Sequence, residues 1–301
     1  MSRRGNRLGC AGLTALVLLV AAVAAGLWLI RQASTADTAS NRCVAVNEGT
    51  SWELSTAQAD NAALIAVTSM ERGMPARAAT IGLATALQES RLINIDYGDR
   101  DSIGLFQQRP SQGWGTVEQI MDPVYATGKF YDGLADVSGY TEMEVTEAAQ
   151  AVQRSGFPDA YAQHEPRARA WASALTGWST AALTCDLSPT DVPGSPETFG
   201  QRVLRDFGSA VVATVDGTGD GSRMLLSTEA LTTASGGDPA RSAWAVAQWA
   251  VAVAADQQLV DVQVGDQLWD READGWVTAP APVADGTVAV TLAGQRSETS
   301  R

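Results

Sequence analysis

The chain has 301 residues, room for two domains of ordinary size, and its 45% hydrophobic content supports a core. A net charge of −13 excludes nucleic acid as a partner, because phosphate binding needs a basic footprint. His164 is the only histidine, no Cys/His cluster has zinc spacing, and neither a Walker loop nor a GxSxG elbow occurs, so no metal or cofactor is expected.

Arg3, Arg4 and Arg7 precede an apolar run, "AGLTALVLLVAAVAAGLWLI", over residues 11–30. Such a run, at about 1.5 Å per residue, spans one hydrocarbon core. The positive flank predicts residues 1–10 inside, a single-pass transmembrane helix at 11–30, and the bulk of the chain outside the cell membrane. The alternative is a signal peptide cleaved near Ser34-Thr35-Ala36, leaving a secreted protein. Residues 31–54, rich in Ser, Thr, Ala and Asp, read as a tether. Cys43 and Cys185 then fall on the oxidising side. An even pair there predicts a disulfide; two unrelated thiols are the other reading.

Ser55-Thr56-Ala57-Gln58 fits a capping box. The helix it opens carries Ala63, Ile65, Ala66, Val67 and Met70 and stops at Gly73. Pro75 opens a second helix through Ile81, Leu83, Ala84 and Leu87 to about Ser90. Residues 94–116 read as loop, with a short extended piece from Ile103 to Gln107. Helical patterns return at 122–136, 141–154 and 165–176. "DLSPTDVPGSPETFG" reads as a linker, over 186–196. Beyond it come a short helix at 197–207, a strand at 209–215, a strong helix at 238–257, and four strands, "LVDVQV", "QLWDR", "GWVTA" and "TVAVTL". "DGTGDGSR" (216–223) lacks EF-hand spacing and reads as a turn between strands.

With other chemistries set aside, carboxylates remain, and Glu89 is the best placed. It lies in the last turn of a helix, facing the negative end of the macrodipole, beside Thr85, Ala86 and Leu87. Dipole and desolvation both disfavour its anion, which suits a general acid protonating a glycosidic oxygen. The plainer alternative is a surface glutamate paired with Arg91. His164, in the polar run "YAQHEPRAR", reads as a solvated surface histidine.

Gln88-Glu89-Ser90, followed by Gly98-Asp99-Arg100-Asp101-Ser102-Ile103-Gly104-Leu105-Phe106-Gln107-Gln108, resembles the lysozyme-like superfamily, most of all bacterial lytic transglycosylases and goose-type lysozymes. In that family a Glu-Ser closes a helix and a Gly-Leu-(Met/Phe)-Gln segment faces it across a sugar groove. Asp122-Pro123 with Ala126, Gly128, Tyr131 and Leu134 is similar to the helix that follows. The resemblance implies cleavage of the bond between N-acetylmuramic acid and N-acetylglucosamine in peptidoglycan glycan strands. Glu89 would be the acid/base, with Asp99 and Asp101 as candidates to orient water if water attacks. Ser90, Gly104, Gln107, Gln108 and Trp114 would face substrate: Gly104 by admitting it close to the backbone, the glutamines through their amides, Trp114 through its flat face. Phe106 reads as core. The family's later Ala-Tyr-Asn-Ala-Gly helix is replaced here by Ala151-Val152-Gln153-Arg154-Ser155-Gly156, and Gln153 or Tyr161 is left to substitute for the missing Tyr and Asn. A non-cleaving alternative is a domain that binds glycan or cell-envelope protein partners.

The C-terminal stretch, "SAWAVAQWAVAVAA" then "QLWDREADGWVTA", looks like accessory domains of cell-wall enzymes, with Trp249, Trp269 and Trp276 as core or as a ligand surface. The expected architecture is a mainly α lysozyme-like domain over 55–185 and a small α+β domain over 197–296, behind an N-terminal transmembrane helix.

Overall fold

The computed structural model describes residues 41–216, 222–234, 237–273 and 275–294. Where a tether was expected, two strands form first. β1 (Arg42–Asn47) and β2 (Thr50–Ser55) make a hairpin. Its turn residues, Glu48 and Gly49, have φ of 50° and 75°, the left-handed pair that suits a two-residue connection between twisted strands. Alternation turns Cys43 and Ala45 fully inward.

The expected capping box opens α1 (Thr56–Glu71): Gln58 N–H donates to Ser55 Oγ, and Ser55 N–H to the Gln58 side chain. α2 (Ala76–Ser90) follows Pro75 and ends at Arg91 in the left-handed region. Next come α3 (Val117–Met121), which the sequence pattern did not reveal, and α4 (Pro123–Ala135). Tyr131 of α4 is fully buried, and its hydroxyl donates to the Ile65 carbonyl at 2.9 Å. It fits because residue 82 is glycine; a Cβ there would lie 2.7 Å from the Tyr131 oxygen. α5 (Val145–Gln153) and α6 (Glu165–Leu175) complete the helical layer. β3 (Leu183–Asp186) then returns to pair with β1, giving a three-stranded antiparallel sheet of order β2-β1-β3. In that register Cys43 faces Cys185, and the two are bridged across 142 residues of sequence. Closing so long a loop contributes about 5 kcal/mol in the chain-entropy account.

The remaining elements are α7 (Pro196–Phe207), β4 (Val212–Val215), β5 (Arg223–Ser227), α8 (Glu229–Ala234), α9 (Pro239–Gln257), β6 (Leu259–Val264), β7 (Gln267–Asp270), β8 (Trp276–Thr278) and β9 (Thr287–Leu292). β5 and α8 were not foreseen. The sheet is antiparallel, of order β4-β5-β9-β6-β7-β8. Trp249 and Trp269 are fully buried, as core.

The expected architecture is corrected in two respects. Residues from Asn41 onward form one compact unit of mixed helices and two antiparallel sheets, in place of a mainly α domain followed by a separate α+β one. The reason is α9, which packs on α1, α6 and β3 as well as on its own sheet. Its buried Gln248 accepts from the Ala182 and Leu183 amides and donates to the Ala174 and Ser179 carbonyls. Trp276 Nε1 donates to the Leu183 carbonyl, and Arg271 to that of Ser188. Polar groups of one region thus satisfy backbone of the other, which a mobile joint would leave unmet. Second, no helix among the described residues is long and apolar enough to cross a membrane, and the run expected to do so, 11–30, lies outside them.

Candidate active-site cleft

Glu89 is the penultimate residue of α2 and is half-buried. Its Oε1 accepts two hydrogen bonds, from the Tyr161 hydroxyl at 2.7 Å and from Gln153 Nε2 at 3.0 Å. Both donors are neutral. Gln153 also donates to the Phe106 carbonyl at 2.8 Å, so one amide ties the carboxyl to the loop facing it. Oε2 takes no hydrogen bond from the described residues and is not sealed from solvent. The alternative pairing with Arg91 does not form: among the described residues Glu89 makes no ion pair. Burial pushes the Glu89 carboxyl above the ordinary glutamate range, and the Tyr161 and Gln153 hydrogen bonds pull it partly back. Burial, followed by the neighbouring Glu89, raises the Tyr161 phenol, so it stays a donor.

Glu89 opens into a cleft of about 510 Å³ lined by Asp99, Arg100, Gln107, Arg109, Trp114, Gln153, Arg154 and Phe157, among others. A second cavity, of about 660 Å³, shares Gln112, Trp114, Gln153 and Arg154 with it and extends to Asp136 and Val137. The shared residues make the two cavities adjoining parts of one groove. Trp114 is half-buried on its wall, and Phe157 is 78% exposed at its rim. Three residues lining the Glu89 cleft, Arg100, Gln107 and Arg154, hold positive φ (58°, 49° and 52°) without being glycine. Such strain, of order 1–3 kcal/mol each, gathers at functional sites.

The structure divides the expected site residues. Glu89, Asp99, Gln107 and Trp114 line the cleft, and Tyr161 reaches it through Glu89. Gln107 is placed there by Gly98, where a Cβ would overlap the Gln107 amide oxygen at 1.9 Å; the amide nitrogen donates to the Tyr97 carbonyl. Ser90, Gly104 and Gln108 turn inward instead, and Asp101 is held in the loop at the surface. Buried Ser90 donates to the Ala86 and Leu105 carbonyls and fastens the helix end to the loop. Gly104, at φ 79°, admits the chain's own backbone: a Cβ would lie 2.8 Å from the Ile120 carbonyl oxygen. Gln108 is 1% exposed and donates to the Ala126 carbonyl. Asp101 accepts from Arg109 at 2.7 Å and from the Ser111 amide and hydroxyl. Those bonds, Ser111's first, hold it well below the usual carboxylate range, fixed as an anion that braces the loop. Phe106 stacks on Phe130 at 4.6 Å in the core, as expected.

His164, expected in solvent, is half-buried with Nε2 3.0 Å from Gln88 Oε1, and burial, then Arg167, lowers its pKa. Arg154 and Phe157 were missed. The one sequence signal was a phenylalanine stranded in the polar run Arg154-Ser155-Gly156-Phe157-Pro158-Asp159. Among the described residues no group of three or more His, Cys, Asp or Glu side chains could hold a metal. No protein-family model matches the chain, and no curated protein matches it.

Proposed function

We propose that this protein is an extracytoplasmic enzyme that cleaves peptidoglycan glycan strands, with Glu89 donating the proton to the bridging oxygen. The observation that carries this reading is the carboxyl's setting. It is half-buried at the wall of that groove, held at one oxygen by two neutral donors, with no ion-pair partner among the described residues to fix it as an anion. A carboxyl that holds its proton more tightly than an ordinary glutamate can act as general acid and then, once ionised, as base in the second half of the reaction. The likeness of the Glu89-Ser90 and Gly104-Leu105-Phe106-Gln107 segments to lytic transglycosylases and goose-type lysozymes points the same way. So does the placement of Gln153 and Tyr161, which supply the support that the absent Tyr-Asn pair would give. The Cys43–Cys185 bridge favours an oxidising compartment.

Asp101 is committed to Arg109 and Ser111, and Asp99 sits 90% exposed beside Arg100. Neither is held as a water-orienting base would be. Attack by the sugar's own 6-hydroxyl, which needs no second carboxylate, is therefore the favoured route; Glu89 takes the hydroxyl proton, and the product ends in a 1,6-anhydro ring. Digestion of purified sacculi tests both parts. Fragments one water lighter than the hydrolysis product are expected, and Glu89→Gln lowers their release by at least about 10³-fold. Fragments of hydrolytic mass would overturn the intramolecular route. Equal release by Glu89→Gln would overturn the assignment, and glycan binding without release would leave a non-cleaving envelope protein.

A further inference from the structure

The groove carries a positive charge that the protein's own carboxylates do not answer. Arg109 is paired with Asp101 at 2.7 Å, and Arg100 lies 3.8 Å from Asp99. Arg154 lines both halves of the groove, is exposed, and makes no ion pair among the described residues; Asp136, which lines the far half, does not pair with it either. In a chain of net charge −13, an exposed guanidinium with no carboxylate partner among the described residues, in the groove that holds Glu89, runs against the sign of the whole. The backbone is bent to put it there. Arg154 ends α5 at φ 52°, a position that favours glycine, while the glycine of this segment stands at 156. The adjacent residue, Gln153, is the one that donates to Glu89. Arg154 and Glu89 line the same cleft, so an anion held by Arg154 shares that cleft with the bond that Glu89 would protonate.

We propose that Arg154 is a specificity-determining residue that selects glycan strands bearing a free carboxylate on the substituent next to the scissile bond. The inference rests on the cleavage reading and adds which strands are cut. A guanidinium accepts a carboxylate through two parallel N–H···O bonds, whereas the corresponding amide offers one acceptor and no charge.

The test compares two substrates made from the same sacculi, one with stem carboxylates free and one with them amidated, in cleavage by the full chain. The wild type is expected to favour the carboxylate form by about tenfold in kcat/KM, mostly through KM, and the preference shrinks as salt is raised. In Arg154→Gln the ratio falls to about one. Arg154→Lys keeps part of it, as a point charge without the fork. Arg154→Gly removes the charge while relieving the left-handed backbone, so a collapsed ratio in a well-folded Arg154→Gly protein separates recognition from folding. A wild type without preference, or an unchanged ratio in Arg154→Gln, overturns the proposal. If the wild type cuts neither substrate, the cleavage reading falls instead, and the same ratio, measured as Kd for soluble fragments of the two kinds, decides the role of Arg154 alone.

Discussion

Asp206 and Glu89 are two of the carboxyl groups that this scaffold buries wholly or in part, and the chain surrounds them in opposite ways. Asp206, on α7, is fully buried and accepts from Arg202 Nε at 2.8 Å, Arg205 Nε at 2.7 Å and Trp249 Nε1 at 2.8 Å. Arg202 reaches on to Asp60 of α1 at 2.7 Å. Burial works to lower the Arg202 guanidinium, but Asp206 and Asp60 outweigh it and hold it above the ordinary arginine range. This cluster pins α7 to α1, and with Trp249 it fastens α9 to the same place. Glu89 has no cation, only a phenol and an amide. A buried carboxyl given counter-ions is a fixed staple; one desolvated without them holds its proton more tightly than it would in water.

The contrast is broken most forcefully by Arg202→Ala. It takes from Asp60 its ion-pair partner and leaves Asp206 with Arg205 and Trp249 alone, and a loss of about 3–5 kcal/mol is expected in denaturant unfolding. A loss below about 1 kcal/mol would mean that the cluster is not the joint between the two regions. In the cleft the effects are kinetic, and those on the groups around Glu89 are smaller. Tyr161→Phe removes one hydrogen bond to the Glu89 carboxylate and should lower kcat/KM about tenfold, some 1.4 kcal/mol. Because that bond favours the anion, its loss moves the Glu89 pKa further up, so the alkaline limb of the pH–rate profile shifts to higher pH. A shift to lower pH contradicts the assignment.

The mildest test concerns stability. With the folded carboxyl raised above its unfolded value, the stabilisation from its proton is complete below the unfolded pKa and is lost as pH rises through the folded one. Glu89→Gln cannot ionise. It should therefore be more stable than wild type at neutral pH, by roughly 0.5–1 kcal/mol, as when a strained active site is relieved, and the gain should vanish at pH 4. Thermal melts at the two pH values read this directly.

Local signals in the sequence were legible. The Ser55/Gln58 box, the two helices around Gly73 and Pro75, the four closing strands and the position of Glu89 at a helix end all follow from patterns a few residues long. Residues 42–54 were read as part of a tether because the inward positions of β1, Cys43 and Ala45, are small and the exposed positions of β2 before Ser55 are Thr, Ser and Glu. What makes them strands is β3, far along the chain. The sidedness of 98–108 was equally hidden. An irregular loop has no period, so Gly104 and Gln108 looked like groove residues when they serve Ile120 and Ala126. The single compact unit was unreadable for the same reason, since the partners of Gln248 lie across 65 to 74 residues of sequence.

The central claim is that the Glu89 carboxyl holds its proton more tightly than an ordinary glutamate because the cleft desolvates it without supplying a cation. Titration of carbon-13-labelled glutamate side chains by NMR, assigned against Glu89→Gln, measures this directly. A midpoint above the ordinary 4.5, rising further in Tyr161→Phe, is the predicted result; a midpoint at or below 4.5 would contradict the account.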